Sequence, residues 1–267
     1  GVAWLDAALD DHDALPAGVD SACYARALIN RSLMDGHVGV TDHLGRAPKA
    51  LAIAREVGDP VLLTRALAAC GAVSAYNPDA ALPPLAEAAD LARSTGDRWL
   101  RAEILGWQTY VLVTGQGDPA GACTTGEEAV RLADEVGARW LSRMGRFFLG
   151  QAHTQQGRLD TAIAMLEGVI EESAGTHDTF SACVAYLTLA IALACRGDTD
   201  TARVAADTAI TLAADISPVH TALAQAMLAF TNLAAGDVAA AAPASDSATQ
   251  SFGDSDVAAI IDPNVAA

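Results

Sequence analysis

The stretches "GDRWLRAEILGW" (96–107) and "GARWLSRMGRFFLG" (137–150) open alike, with a Gly, an Arg-Trp-Leu and an apolar run, 41 residues apart. The recurrence extends along the chain. Gly117-Asp118, Gly157-Arg158, Gly197-Asp198 and Gly236-Asp237 are separated by 40, 40 and 39 residues, and Asn77-Pro78 lies 40 before the first. Five residues after these glycines come Ala122, Ala162, Ala202 and Ala241. A second series of stops, Gly58, Gly96, Gly137 and Gly175, falls between them. Two stops per period of about 40 residues predict two helices per repeat.

The segments between stops have helical spacing. Leu159, Ile163, Leu166 and Ile170 make one apolar stripe, and Ala122, Ala129, Val130 and Ala133 another, opposite Glu127, Glu128, Arg131, Asp134 and Glu135. Asp59-Pro60, Asn77-Pro78, Asp118-Pro119 and Ser217-Pro218 each set a capping side chain before a proline. The capping oxygen takes an orphan N–H, and proline at the first helical position has none to leave unmet. Glycine suits the left-handed residue that closes a helix. Helix pairs that bury little alone must stack, so the expected fold is all-α, a right-handed α-solenoid of five to six pairs with a concave face. It is expected to form one domain over 1–267, with 253–267 a frayed tail. Residues 34–46, "MDGHVGVTDHLGR", carry extra glycine where a tight turn belongs, and Pro83-Pro84 and Pro243 are expected to delay or kink second helices.

Composition agrees. Apolar residues make up 52% of the chain but aromatics only 5%, and the Ala-rich remainder favours helix over strand. The net charge of −17 repels phosphate backbones and anionic headgroups, which argues against direct nucleic-acid contact by this segment and against a membrane surface. Five scattered cysteines without a C-x-x-C fit reduced thiols in a cytoplasmic protein. No signal peptide and no apolar run of about 18 residues is read from the sequence. The chain opens on Gly1 directly into a helical pattern, as a piece of something longer would.

A glycine followed after five residues by alanine, in paired helices, resembles the tetratricopeptide repeat (TPR). Leu149-Gly150, Leu189-Ala190 and Leu228-Ala229 match the Leu-Gly that this repeat sets seven to eight residues before the glycine, and Thr109-Tyr110 departs from it. The long, Ala-rich form in "ALAIAREVGDP" (50–60), "AEAADLARSTGDRW" (86–99) and "EEAVRLADEVGARW" (127–140) is similar to the repeat region of large LuxR-type transcription regulators and STAND signalling ATPases. The resemblance covers residues 50–253. It implies a parent chain in which a nucleotide-switch ATPase precedes the repeats and a helix-turn-helix follows. This chain has no G-x-x-x-x-G-K-[ST] phosphate loop, and its acidic C-terminus does not read as a DNA-binding helix.

No enzyme is read here. His153, His177 and His220 lie on different repeats, so no metal site or other cofactor is expected, and no nucleophile elbow occurs. The concave groove is the better candidate. Projecting the TPR groove positions along the 40-residue ruler gives Trp107, Phe147, Leu187 and Ala226, then Val111, Gln151, Ile191 and Phe230, then Thr114 and Thr154. Trp107, Phe147, Gln151 and Phe230 suit a small molecule or apolar peptide. The same positions also serve if they only pack the superhelix, and a one-position error in register exchanges groove and core. Trp99 and Trp140 recur at the junctions, as packing residues would. Arg101 and Arg143 suit an acidic ligand or ordinary ion pairs. The expected function is an effector-sensing or protein-interaction module of a multidomain regulator; the alternative is a free-standing scaffold for a protein partner.

Overall fold

A computed structural model describes residues 2–9, 18–38 and 45–253. They form α1 (Val2–Leu9), α2 (Ser21–Val38), α3 (Arg46–Val57), α4 (Pro60–Val73), α5 (Pro78–Thr95) and α6 (Arg98–Tyr110), which runs on as a π-helical segment (Val111–Gln116). Then follow α7 (Pro119–Glu135), α8 (Arg139–Gln155), α9 (Leu159–Thr176), α10 (Thr179–Arg196), α11 (Thr199–Ala213), α12 (Pro218–Ala234) and α13 (Val238–Gly253). No strand occurs among the described residues. From α2 onward the helices pair as first and second members of a repeat, and the pairs stack into a right-handed α-solenoid.

The sequence rulers mark real boundaries. Gly58, Gly96, Gly117, Gly137, Gly157, Gly197 and Gly236 all have positive φ and close helices in the left-handed conformation. All four cap-proline pairs open helices. Asp59 Oδ1 accepts from the N–H of Val61 and Leu62, Asn77 from Ala80, Asp118 from Gly121, and Ser217 Oγ from His220. Ala122, Ala162, Ala202 and Ala241 are all buried, small enough to let the second helix lie close against its partner. Gly150, in the Leu-Gly motif, does the same from the other side: a Cβ there would stand 2.8 Å from Leu166 Cδ2 of α9.

Four expectations change. The stop at Gly175 belongs instead to His177, which closes α9 at φ 53° while Gly175 stays within the helix. Pro83 and Pro84 do not delay α5, which begins at Pro78 and carries both within it, and α13 likewise carries Pro243. The groove projection applies one 40-residue ruler throughout, yet Gly96 to Gly117 is 21 residues against 20 from Gly137 to Gly157. The extra residue is absorbed by the π-helical turn after Tyr110, as single-residue insertions in helices commonly are. There the N–H groups of Gly117 and Asp118 both turn to the Leu112 carbonyl, and the Val113 carbonyl takes the Gln155 side-chain amide at 2.9 Å. Finally, a bilayer-length apolar helix does occur: α10 has 18 residues of mean hydropathy 1.6. It is a core helix, 61% buried among its neighbours.

Of the awkward stretch 34–46, residues 39–44 lie outside the described residues, as do 254–267 of the expected tail.

Candidate functional site

The first helices of the repeats share a face, and that face encloses a cleft of about 240 Å³. α6 contributes Glu103, Gly106, Trp107 and Tyr110, which fall on one face of the helix. α8 contributes Trp140, Met144, Phe147, Phe148 and Gln151; α10 brings Phe180, Val184, Leu187 and Ile191; α12 brings Val219, His220, Leu223 and Met227. The C-terminal end of α2 closes the cleft from across the groove. Its His37 ring stacks on Trp140, 5.1 Å between centroids, and meets Trp107 at 4.9 Å.

The walls are aromatic. Tyr110 packs on Phe148 at 5.1 Å and edge-on to Trp107 at 6.1 Å, and its hydroxyl meets that of Tyr76 at 3.1 Å. Burial and the neighbouring Tyr76 hydroxyl hold the Tyr110 phenol protonated well above its ordinary range.

A few polar groups stand in this apolar setting, and three are unmet. Glu103 Oε2, Gln151 Oε1 and His37 Nδ1 are buried atoms with no hydrogen-bond partner. Burial raises the Glu103 carboxyl to about 6; Arg65 opposes that rise and Asp97 adds to it. Burial lowers His37 to about 4, so its imidazole is neutral at pH 7. No Lys, Arg or Asp lines the cleft among the described residues. An unmet buried polar atom costs about 1–3 kcal/mol, so three at one cleft mark it as unlike the rest of the core.

The projected groove residues divide. Trp107, Phe147, Gln151, Leu187, Ile191 and Thr114 line the cleft. Val111 is fully buried in the core, and Phe230 sits on α12 outside the cleft, 39% exposed. Arg101 pairs with Glu128 of α7 at 2.6 Å and does not line the cleft. Arg143 is buried and pairs with Asp178 at 2.8 Å. Asp178 in turn caps α10 through the Ser181 N–H and takes the Ser181 hydroxyl at 2.6 Å. Desolvation works against its charge, but Ser181 and Arg143 outweigh it and keep the carboxyl below its usual range.

Sequence reasoning missed Glu103, Tyr110, Trp140 and His37. For Tyr110 the signal was present in the 21-residue spacing: a shift of 41, not 40, carries Gln151 onto Tyr110. The same shift relates Trp140 to Trp99, but Trp140 lines the cleft while Trp99 is 43% exposed.

A second polar cluster lies away from the cleft. Cys123 Sγ is 3.7 Å from His153 Nδ1 and accepts from Arg158 at 3.2 Å. Burial nevertheless raises the thiol, against the opposing charge of Arg158, which favours its protonated form. No cluster of three His, Cys, Asp or Glu suited to a metal occurs among the described residues.

Solved structures with the same course of helices settle the fold. BtubC from P. vanneervenii superposes with a TM-score of 0.61 at 16% identity, over 84% of this chain and 90% of that one. A STAND protein of Pyrococcus horikoshii, described as having a tetratricopeptide repeat sensor, superposes with a TM-score of 0.59 at 14% identity, over 88% of this chain and 37% of that one. The chain has the TPR-like fold. In sequence it is 37% identical, over 253 residues, to proteins of Mycobacterium tuberculosis and Mycobacterium bovis provisionally named HTH-type transcriptional regulators. That similarity covers 93% of this TPR-like chain but only 28% of the regulators' length. The resemblance to the repeat region of large regulators and STAND proteins therefore holds. No protein-family model matches the chain.

Proposed function

We propose that this TPR-like segment is a non-enzymatic sensor and interaction module of a cytoplasmic multidomain regulator, taking a small molecule or short peptide in the cleft. One observation carries the proposal: a single cleft is lined by first helices of successive repeats, α6, α8, α10 and α12, and closed by the end of α2. A ligand there touches several stacked pairs at once, so it favours the solenoid curvature in which those faces converge. A ligand shifts such an equilibrium only by its differential affinity for the two curvatures. In the parent chain that preference would reach an ATPase switch and a DNA-binding domain on either side. The surplus of negative charge keeps this segment itself away from DNA. The share of the mycobacterial regulators that it covers supports this reading over that of a free-standing scaffold.

Gly106 supplies the test. It lies within α6 and lines the cleft, and a Cβ placed there meets nothing within 4 Å. The backbone of α6 therefore accepts a side chain there, and Gly106→Leu is expected to fill the cleft while improving helix propensity by about 1 kcal/mol. Compounds that raise the melting temperature of the chain are expected to lose that effect in Gly106→Leu, with the far-ultraviolet helical signal intact. Compounds that stabilise both proteins equally bind elsewhere, and the cleft is then not the sensing site.

A further inference from the structure

We propose that the cleft selects a ligand with an apolar body and a protonated amine, and that Glu103 is the residue that pairs with the ammonium. The inference rests on the cleft being a ligand site, and adds the chemical class of the ligand.

The argument begins from what the cleft lacks. Glu103 is nine-tenths buried and lines it, with Oε2 unpartnered. Gln151 Oε1, also unmet, accepts a hydrogen bond, and the unmet Nδ1 of the neutral His37 accepts or donates one according to its tautomer. Two unmet acceptor oxygens at one cleft, one of them a carboxylate's, call for a donor that carries positive charge, and an ammonium group supplies three N–H donors with it. A ligand carboxylate or phosphate would bring further acceptors and negative charge against Glu103, with no Lys or Arg on the described lining to receive them. A neutral apolar ligand would leave the Glu103 and Gln151 oxygens unmet.

The walls agree with a cation. Trp107, Tyr110, Trp140, Phe147 and Phe148 line the same cleft as the polar groups, and aromatic ring faces attract ammonium ions, more strongly where water is excluded. The raised carboxyl of Glu103 agrees, since burial penalises a charge that Arg65 only partly compensates. Along α10 and α12 the lining is mainly apolar, with Val184, Leu187, Ile191, Leu223 and Met227 beside Thr188 and His220, and this is where the body of the ligand lies. The chain's net charge of −17 draws cations toward it in general, and within the cleft Glu103 makes that attraction local.

The test uses the full 267-residue chain at pH 7.5 and three probes that share one body: 4-phenylbutylamine, 4-phenylbutan-1-ol and 4-phenylbutyrate. Binding is followed by tryptophan fluorescence, since Trp107 and Trp140 line the cleft. The amine is expected to bind about tenfold or more tighter than the alcohol, with the butyrate weakest. Glu103→Gln, close in size, is expected to weaken the amine by about tenfold, equivalent to about 1.4 kcal/mol, and to leave the alcohol within about twofold. Retained alcohol binding shows that the variant is folded and its cleft intact. Gly106→Leu is expected to abolish binding of all three. Equal binding of amine and alcohol, or an amine affinity unchanged in Glu103→Gln, overturns the amine assignment while leaving a ligand cleft. Failure of every probe to bind, or binding that survives Gly106→Leu, overturns the cleft reading and the amine assignment together.

Discussion

Replacing Glu103 by Gln removes a buried carboxylate while nearly preserving its size, and the structure states what that does to stability. In the fold Glu103 holds its proton up to about pH 6, against 4.5 for the unperturbed group, because burial disfavours the charge more than Arg65 relieves it. The unfolded chain therefore releases the proton first. Between pH 4.5 and 6 the folded state binds more protons than the unfolded one, so stability falls as pH rises. At about 1.4 kcal/mol per pH unit, the gap between 4.5 and about 6 amounts to about 2 kcal/mol, all of it lost by about pH 7. Glutamine has no charge to desolvate, so Glu103→Gln escapes the loss. Urea unfolding of both proteins at half-unit steps from pH 5 to 8 measures it. The stability of the variant minus that of the native protein is expected to climb by about 1 kcal/mol across this range, since part of the loss is already present at pH 5. Other titrating groups, His37 among them, act on both proteins alike and cancel in the difference. A difference that stays flat with pH, or that moves in the native protein's favour as pH rises, would refute the claim that burial of this carboxylate outweighs what Arg65 returns.

The neutral His37 makes the opposite demand. With its pKa lowered to about 4 by burial, it withdraws stability as pH falls from 6.5 toward 4. His37→Phe in a Glu103→Gln background is expected to retain about 2–3 kcal/mol more stability than its parent on going from pH 7.5 to 4.5, read from urea midpoints. Asp178→Ala removes the cap of α10 and leaves Arg143 buried without its partner, a loss of about 3–5 kcal/mol measurable by chemical denaturation. A loss under about 1 kcal/mol, the typical worth of an exposed ion pair, would show that Arg143 reaches solvent. His177→Gly relieves a left-handed histidine and is expected to gain about 1 kcal/mol, seen as a rise in melting temperature.

What the sequence made legible was the order of local events. Glycine stops, cap-proline pairs and the recurring alanine each act within a turn or two of helix, and all of them stand where their spacing placed them, His177 apart. The cleft was legible only in part, because projecting a groove requires the helical phase to stay constant from repeat to repeat. One extra residue before Gly117 shifts that phase by about 100° per residue, which puts Tyr110 into the cleft and Val111 into the core. Glu103 was hidden for a different reason. On a helix rich in polar residues a glutamate reads as solvent-facing, and only the packing of helices around the cleft buries it. The His37 contact joins residues 70 and 103 positions apart, a separation on which local pattern has nothing to say.

That contact also alters how the molecule shares load. In an open stack of repeats each pair leans only on its neighbours, so an end can peel away while the rest stands. Here the tip of α2 is clasped between rings from α6 and α8, two and three pairs further on. Tension applied at the N-terminus meets that clasp and is passed directly to the middle of the stack, so the first half of the array yields in one step where an open stack would unzip pair by pair.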